Sequence, residues 1–262
     1  MYKIFLVLVL LFTLNVKADS NYVDYVVGAG DVISINVYRS PDLKTDVRVA
    51  ADGKVAFPLV GQINVAGKTT MEIEKIISTQ LVEKKLLVSP QVNVLVTEFQ
   101  SKTFAILGNV SSPGKYPIKK PLKLTDAIAI AGGYTQTASD TVTIVSEVDG
   151  KTLKKSYDVR QLLNDFSDEA NPLIRNKDVI QVPKHPVFYI HGQVNSPGEY
   201  KLEPNMRVSQ ALAKGGGVTL RGTTRSMTIE RTQPNGKLEK ISGQLGVRLQ
   251  PNDVVYVKES LF

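Results

Sequence analysis

An internal repeat constrains this chain more than any other of its features. Residues Gly108 to Gly133 realign on Gly192 to Gly217 at a constant offset, 192 minus 108, of 84 residues. The identities include Gly108/Gly192, Ser112/Ser196, Pro113/Pro197, Gly114/Gly198, Tyr116/Tyr200, Ala127/Ala211 and the closing pairs Gly132/Gly216 and Gly133/Gly217. Ordinary residue frequencies would supply only about one or two such matches by chance. One supersecondary unit therefore occurs twice in tandem.

Each copy begins with a β-like run, Phe104-Ala-Ile-Leu or Phe188-Tyr-Ile-His, and reaches Ser-Pro-Gly. Pro fixes φ and Gly permits φ > 0, so this segment predicts a strand, a tight turn and a second strand. A short helix follows, over Leu124 to Ala131 or Val208 to Lys214, with Thr125 or Ser209 near its start and glycines at its end. Each copy closes on a similar strand, Lys177-Asp-Val-Ile-Gln-Val or Asn252-Asp-Val-Val-Tyr-Val. That strand recurs at an offset, 253 minus 178, of 75 residues. The second copy has lost about nine residues, and the short helical pattern at Asp158 to Leu163 with its polar loop is where such a loss is tolerated.

A different module precedes the repeats. Tyr25-Val-Val-Gly-Ala-Gly-Asp-Val-Ile-Ser-Ile-Asn-Val predicts two short strands, and Asp52-Gly53 between Arg48-Val-Ala-Ala and Lys54-Val-Ala-Phe predicts a hairpin turn. Thr69-Thr-Met-Glu72 has capping-box spacing, and Ile73, Ile76, Ile77 and Leu81 line one face of a helix running to about Leu87. After Pro90, the alternation of Val92, Val94 and Val96 with Asn93, Leu95 and Thr97 predicts a strand with at least one buried face.

At the N-terminus, Lys3 precedes an apolar run from Ile4 to Leu14 and the small-residue site Val16-Lys17-Ala18. About eleven apolar residues at ~1.5 Å each fall well short of a ~30 Å hydrocarbon core, which predicts a secretory signal cleaved between Ala18 and Asp19. The chain has no cysteine, which excludes disulfides, thiolate metal sites and the acylated cysteine of a lipoprotein. Removing Lys3 and Lys17 lowers the net charge from +7 to about +5. With no basic cluster interleaved with aromatics, nucleic acid is not an expected partner.

Candidate chemistry is sparse. The two histidines, His185 and His191, have neither H-x-x-x-H spacing nor a carboxylate cluster beside them, so no metal site is expected. Gly28-Ala-Gly30 lacks the third glycine and the βαβ frame of a dinucleotide site and reads as a turn. Asp31, Asp178 and Asp253 occur once per module in the context Asp-Val-(Ile/Val), where an aspartate caps a turn at a strand entrance. Single carboxylates spread over separate modules do not make a general acid and base pair, so no catalytic residue, no cofactor and no enzymatic activity are expected. Tyr116 and Tyr200 occupy equivalent places in the two copies. They are candidates for stacking on a sugar, weighed against local strand packing.

The first module, with Val26-Val-Gly-Ala-Gly-Asp-Val-Ile-Ser-Ile-Asn-Val and Asp52-Gly-Lys-Val-Ala-Phe-Pro-Leu-Val-Gly-Gln-Ile, resembles the N-terminal domain of bacterial polysaccharide export proteins. The two copies, marked by Gly-x-Val-x-Ser-Pro-Gly-x-Tyr, resemble the soluble-ligand-binding β-grasp (SLBB) domains that follow it in that family. The resemblance implies an α+β, β-rich chain with a signal peptide at 1–18, an export domain at 19–100 and β-grasp domains at 101–184 and 185–262. It implies a periplasmic homo-oligomeric ring associated with the outer membrane, carrying capsule or exopolysaccharide passively through its lumen. An inner-membrane polysaccharide co-polymerase with its tyrosine kinase is the implied partner. The segment Arg248 to Phe262 ends as a strand with no apolar helical face, in which the chain resembles the shorter members of the family, and that resemblance implies a separate outer-membrane β-barrel as a further partner. The alternative is a periplasmic module that binds a glycan or small ligand without a channel role.

Overall fold

The protein was analysed as a computed structural model that describes residues 24–164, 167 and 169–260. The expected cleavage residues Ala18 and Asp19 lie outside the described residues. Among the described residues, no helix is long and apolar enough to cross a membrane.

The first unit is built from β1 (Val32–Val37), β2 (Thr45–Arg48), β3 (Lys54–Phe57), β4 (Gly61–Asn64), α1 (Thr70–Glu83) and β5 (Val92–Glu98). Alternation in β1 sends Ile33, Ile35 and Val37 inward. The strand pairs antiparallel on both sides, giving the sheet order β2-β1-β5, while β3 and β4 form a separate hairpin. Helix α1 covers this core with Ile73, Ile77 and Leu81, all fully buried and worth about 1.5–3 kcal/mol each. Its capping box forms as the spacing predicts: Glu72 N donates to Thr69 Oγ1 (3.3 Å) and Thr69 N to Glu72 Oε2 (2.7 Å). Glu74 on the same helix accepts from Val94 N at 2.9 Å, tying the helix to an edge strand.

Three sequence expectations need correction here. The helix ends at Glu83 and not near Leu87, because Lys85 takes the left-handed conformation (φ 57) and Leu86 N returns to Leu81 O at 3.0 Å. Leu87 still packs on the core, which is why the apolar periodicity overran the helix. The Asp52-Gly53 turn is present, with Gly53 N on Ala50 O and Ala50 N on Lys54 O, both at 2.9 Å. Yet β2 and β3 on either side of it join different sheets. Among the described residues before β1, the expected second strand is reduced to a single bridge from Val26 to Thr69.

The repeats share one architecture. The first contains β6 (Thr103–Gly108), β7 (Gly114–Pro117), α2 (Leu124–Ile130), β8 (Thr141–Val148), β9 (Lys151–Asp158), α3 (Val159–Asn164) and β10 (Val179–Val182). The second contains β11 (Val187–Gly192), β12 (Gly198–Lys201), α4 (Val208–Lys214), β13 (Gly222–Thr232), β14 (Leu238–Ser242) and β15 (Val254–Glu259). Strand orders β7-β6-β10-β8-β9 and β12-β11-β15-β13-β14 superpose, each with a central parallel pair flanked by antiparallel neighbours. A parallel pair needs a long crossover, and α2 or α4 lies within it, burying Leu124, Ala127 and Ile128 or Val208, Ala211 and Leu212. The fold is thus α+β and strand-rich, as expected.

The helices start at Leu124 and Val208, as the sequence predicts, with Thr125 and Ser209 in the first turn. Lys123 and Arg207 occupy the N-cap positions, and their backbone N–H groups donate to Asp126 (3.2 Å) and Gln210 (2.8 Å). The remaining first-turn donors are met from a distance. In the first copy, Leu124 N bonds Pro172 O (2.9 Å) and Thr125 N bonds the Asn171 side chain (3.1 Å). In the second, which has no counterpart of α3, the backbone carbonyls of Val247 and Leu245 replace them at 3.0 and 3.1 Å. The deletion is accommodated because a re-routed loop still meets the orphan N–H groups of the helix.

Candidate functional site

All three units enter a strand through the same turn. Asp31 N, Asp178 N and Asp253 N bond to the carbonyl three residues earlier (3.3, 3.2 and 3.1 Å), and the intervening Gly30, Lys177 and Asn252 have φ of 94, 69 and 67. Each aspartate then accepts, through one carboxylate oxygen, the backbone N–H of that same earlier residue: Gly28 (2.9 Å), Arg175 (2.7 Å) or Gln250 (2.7 Å). Their side chains are buried. The turn-capping role read from the sequence is thereby realised in every unit.

The partners beyond the turn differ. Asp31 Oδ1 also accepts from Gln100 N (2.7 Å) and Ser101 N (2.8 Å), and Oδ2 from Tyr25 Oη and Ser101 Oγ, both at 2.8 Å. Burial opposes its ionisation, but the N–H groups of Gly28, Ser101 and Gln100 and the Tyr25 hydroxyl outweigh it and hold the carboxyl below its ordinary range. Burial, with the neighbouring Asp31 charge, pushes the Tyr25 hydroxyl up to about 12. Asp253 instead receives a two-point contact from Arg231, Nε at 2.9 Å and Nη2 at 2.7 Å.

The Ser-Pro-Gly hairpins explain the two tyrosines. Tyr116 Oη and Tyr200 Oη donate to the carbonyls of Ser112 (2.5 Å) and Ser196 (2.7 Å). Their rings stack on Phe104 and Phe188 at 5.8 Å in both copies. Each tyrosine thus fastens its own turn and covers a core phenylalanine, with one partly exposed side remaining. Gly108 and Gly192, both in the left-handed region at φ 97 and 91, leave no room for a side chain. A Cβ there would meet Val182 O at 2.1 Å or Val257 O at 2.2 Å, where the parallel partner strand ends.

Two clefts lie at the junctions between units. The first, about 470 Å³, is bounded by Asp24, Tyr25, Val94, Phe99, Lys119 and Lys120. There Tyr25 packs edge-on to Phe99 (4.8 Å), Lys119 Nζ sits 5.0 Å from the Phe99 ring centre and Lys102 Nζ 5.3 Å from that of Tyr25. At the second junction, Lys201 pairs with Asp140 at 2.9 Å, and the backbone is stitched by Ser139 N to Pro183 O and His185 N to Thr137 O.

The histidines are separated: His185 is part of this second junction, and His191 stands on the outer sheet face of the second repeat, its ring 4.9 Å from that of Tyr256. Among the described residues, no three His, Asp or Glu side chains gather into a set that could hold a metal ion. Sequence reasoning missed this outer face. The alternation of Tyr189 and His191 with buried Phe188 and Ile190 signalled an outward aromatic pair, but the approach of Tyr256 needs the β11–β15 pairing.

Residues 19–97 match the family described as polysaccharide biosynthesis/export protein, and residues 102–182 and 187–242 each match an SLBB domain. The chain is 28% identical over 272 residues to the EPS I polysaccharide export outer membrane protein EpsA of Ralstonia nicotianae, covering 89% of this chain and 70% of that one. It is 28% identical over 197 residues to the capsule polysaccharide export outer membrane protein CtrA of Neisseria meningitidis serogroup A, covering 71% of this chain and 47% of that one. Polysialic acid transport protein KpsD of Escherichia coli is 21% identical over 193 residues, 72% of this chain and 34% of that protein. The chain carries a polysaccharide biosynthesis/export domain followed by two SLBB domains and is similar to polysaccharide export outer membrane proteins along most of its length.

Proposed function

We propose that this protein is a component of a polysaccharide export apparatus, acting in the periplasm at the outer membrane as a homo-oligomeric ring through which capsule or exopolysaccharide passes without bond chemistry. The observation that carries this reading is the ordered match of an export domain and two SLBB domains, together with relatives whose names assign them to polysaccharide export at the outer membrane. The architecture supports it. Three small cores are joined end to end, and the aspartates are engaged in hydrogen bonds that hold turns. Cores of roughly 80 residues are individually marginal, so packing against neighbouring copies would add stability.

In this reading the functional division falls at 19–100, 101–184 and 185–262, with a leader removed between Ala18 and Asp19. An inner-membrane co-polymerase with its tyrosine kinase delivers the polymer, and a separate β-barrel completes the outer-membrane passage. Tyr116 and Tyr200 contribute to a glycan path only through the exposed side of rings already fixed to Ser112 and Ser196. Electron microscopy of the purified mature chain tests the assembly: closed rings are expected, and strictly monomeric particles at all concentrations would overturn the ring.

A further inference from the structure

The two repeats superpose strand for strand, so their outer sheet faces can be compared position by position. In the second repeat, Tyr189 and His191 on β11, Tyr256 on β15 and Glu199 on β12 all point away from the core, opposite buried Phe188, Ile190, Val255 and Val257. The register makes them neighbours: Tyr189 pairs with Glu199 and His191 with Tyr256. In the first repeat, the same register pairs Ala105 with Lys115 and Leu107 with Gln181. An aromatic and acidic surface therefore exists on one repeat and not on the other. The shared fold does not require it.

We infer that this outer face of the second SLBB domain is a saccharide-binding platform, in which a free face of the stacked His191–Tyr256 pair takes a pyranose ring while Glu199 and the Tyr189 hydroxyl bond its hydroxyl groups. The rings of His191 and Tyr256 lie 4.9 Å apart at 33°, a tilted stack that braces the two rings against each other and leaves the outer face of the pair free. Tyr189 and Glu199 are directly opposite each other on β11 and β12, which sets the carboxylate at the edge of the platform, and Lys184 pairs with it at 3.5 Å. An open hollow of about 570 Å³ adjoins the His191 side of the platform, bounded by Tyr189, His191, Pro197, Gly198, Glu199 and Val254. Across the sheet, Thr228 lies beside Tyr256 and Glu230 beside Val254, so carboxylate and hydroxyl groups flank the rings on both sides.

This mixture selects the ligand class. A protein partner would bury Glu199 and Glu230, and interface centres are depleted in charge. Glu199 and Glu230 are paired with Lys184 (3.5 Å) and Lys240 (3.1 Å), so the face offers no net positive charge to the phosphates of a nucleic acid. A saccharide presents an apolar C–H face bordered by hydroxyl donors, which matches flat rings edged by acceptors.

The inference rests on the export reading for its choice of probe, and the two fail separately. The full mature chain is titrated with neutral, amino-sugar and uronic-acid hexasaccharides while the resonances of Tyr189, His191 and Tyr256 are followed by NMR. Saturable shifts confined to that face are expected with at least one probe. Tyr256→Ala should weaken binding at least tenfold, Tyr256→Phe should retain it, and Gln181→Ala on the first repeat should leave it unchanged. Circular dichroism melting establishes that the variants fold. The absence of sugar-dependent shifts with every probe would overturn the platform, as would shifts unaffected by Tyr256→Ala. A change of oligomeric state in Tyr256→Ala without sugar-dependent shifts would also overturn it, assigning the face to a second copy. Export is scored independently by surface polysaccharide in cells lacking the chain, so loss of the platform leaves the export reading standing.

Discussion

Replacing Asp31 by alanine should loosen the start of the first repeat from the export domain. The carboxylate accepts from Gly28 N, Gln100 N, Ser101 N, Tyr25 Oη and Ser101 Oγ at 2.7 to 2.9 Å, and its side chain is fully buried. Without it, three backbone donors and two hydroxyls must find water or remain unpaired. At about 1–3 kcal/mol for each buried donor left unmet, and with water able to reach some of them, the loss is roughly 3–5 kcal/mol. The sign of the pH dependence follows from the lowered carboxyl value. The contribution is fully present above the unfolded value near ~3.9 and is lost as pH falls through the folded one, and Asp31→Ala should lack this component. Three cores need not unfold together, so the assay is amide exchange by mass spectrometry, read on peptides covering residues 92–101. Protection there should drop at least about 100-fold, since each 1.4 kcal/mol is a factor of ten. A drop of less than about tenfold would refute the argument that this carboxylate holds the junction.

Further outcomes follow from the repeated geometry. Gly192→Ala should cost roughly 2–4 kcal/mol in urea unfolding, because the new Cβ meets Val257 O at 2.2 Å at φ 91 and the Gln193 N to Val257 O bond must give way. Asp253→Ala should destabilise more than Asp178→Ala in calorimetry, by about 2 kcal/mol, since only Asp253 leaves a largely buried arginine, Arg231, without its carboxylate. Tyr200→Phe should lower the melting stability by about 1 kcal/mol, the worth of its bond to Ser196 O, while preserving the stack on Phe188.

Where interactions are local, the sequence foretold the structure. Ser-Pro-Gly gave the hairpins, Thr69 and Glu72 gave the capping box, and Asp-Val-(Ile/Val) marked three turns whose geometry depends on residues three apart. Legibility ended where partners come from far along the chain. Nothing near Asp31 indicates that Gln100 and Ser101 will meet it, and nothing near Leu124 indicates that Pro172 and Asn171 will cap that helix. The Asp52-Gly53 turn was visible, but local pattern could not show that its flanking strands part into different sheets. The Tyr189, His191 and Tyr256 face is of the same kind: outward direction follows from alternation, whereas proximity follows from a parallel pairing across the whole repeat.

Surface polysaccharide, measured in cells deleted for this chain and in the same cells complemented with it, tests the central claim most directly. Loss of the surface polymer with accumulation inside the envelope, restored by the chain, is the predicted result. Unchanged surface polysaccharide in the deleted cells would contradict the assignment to export.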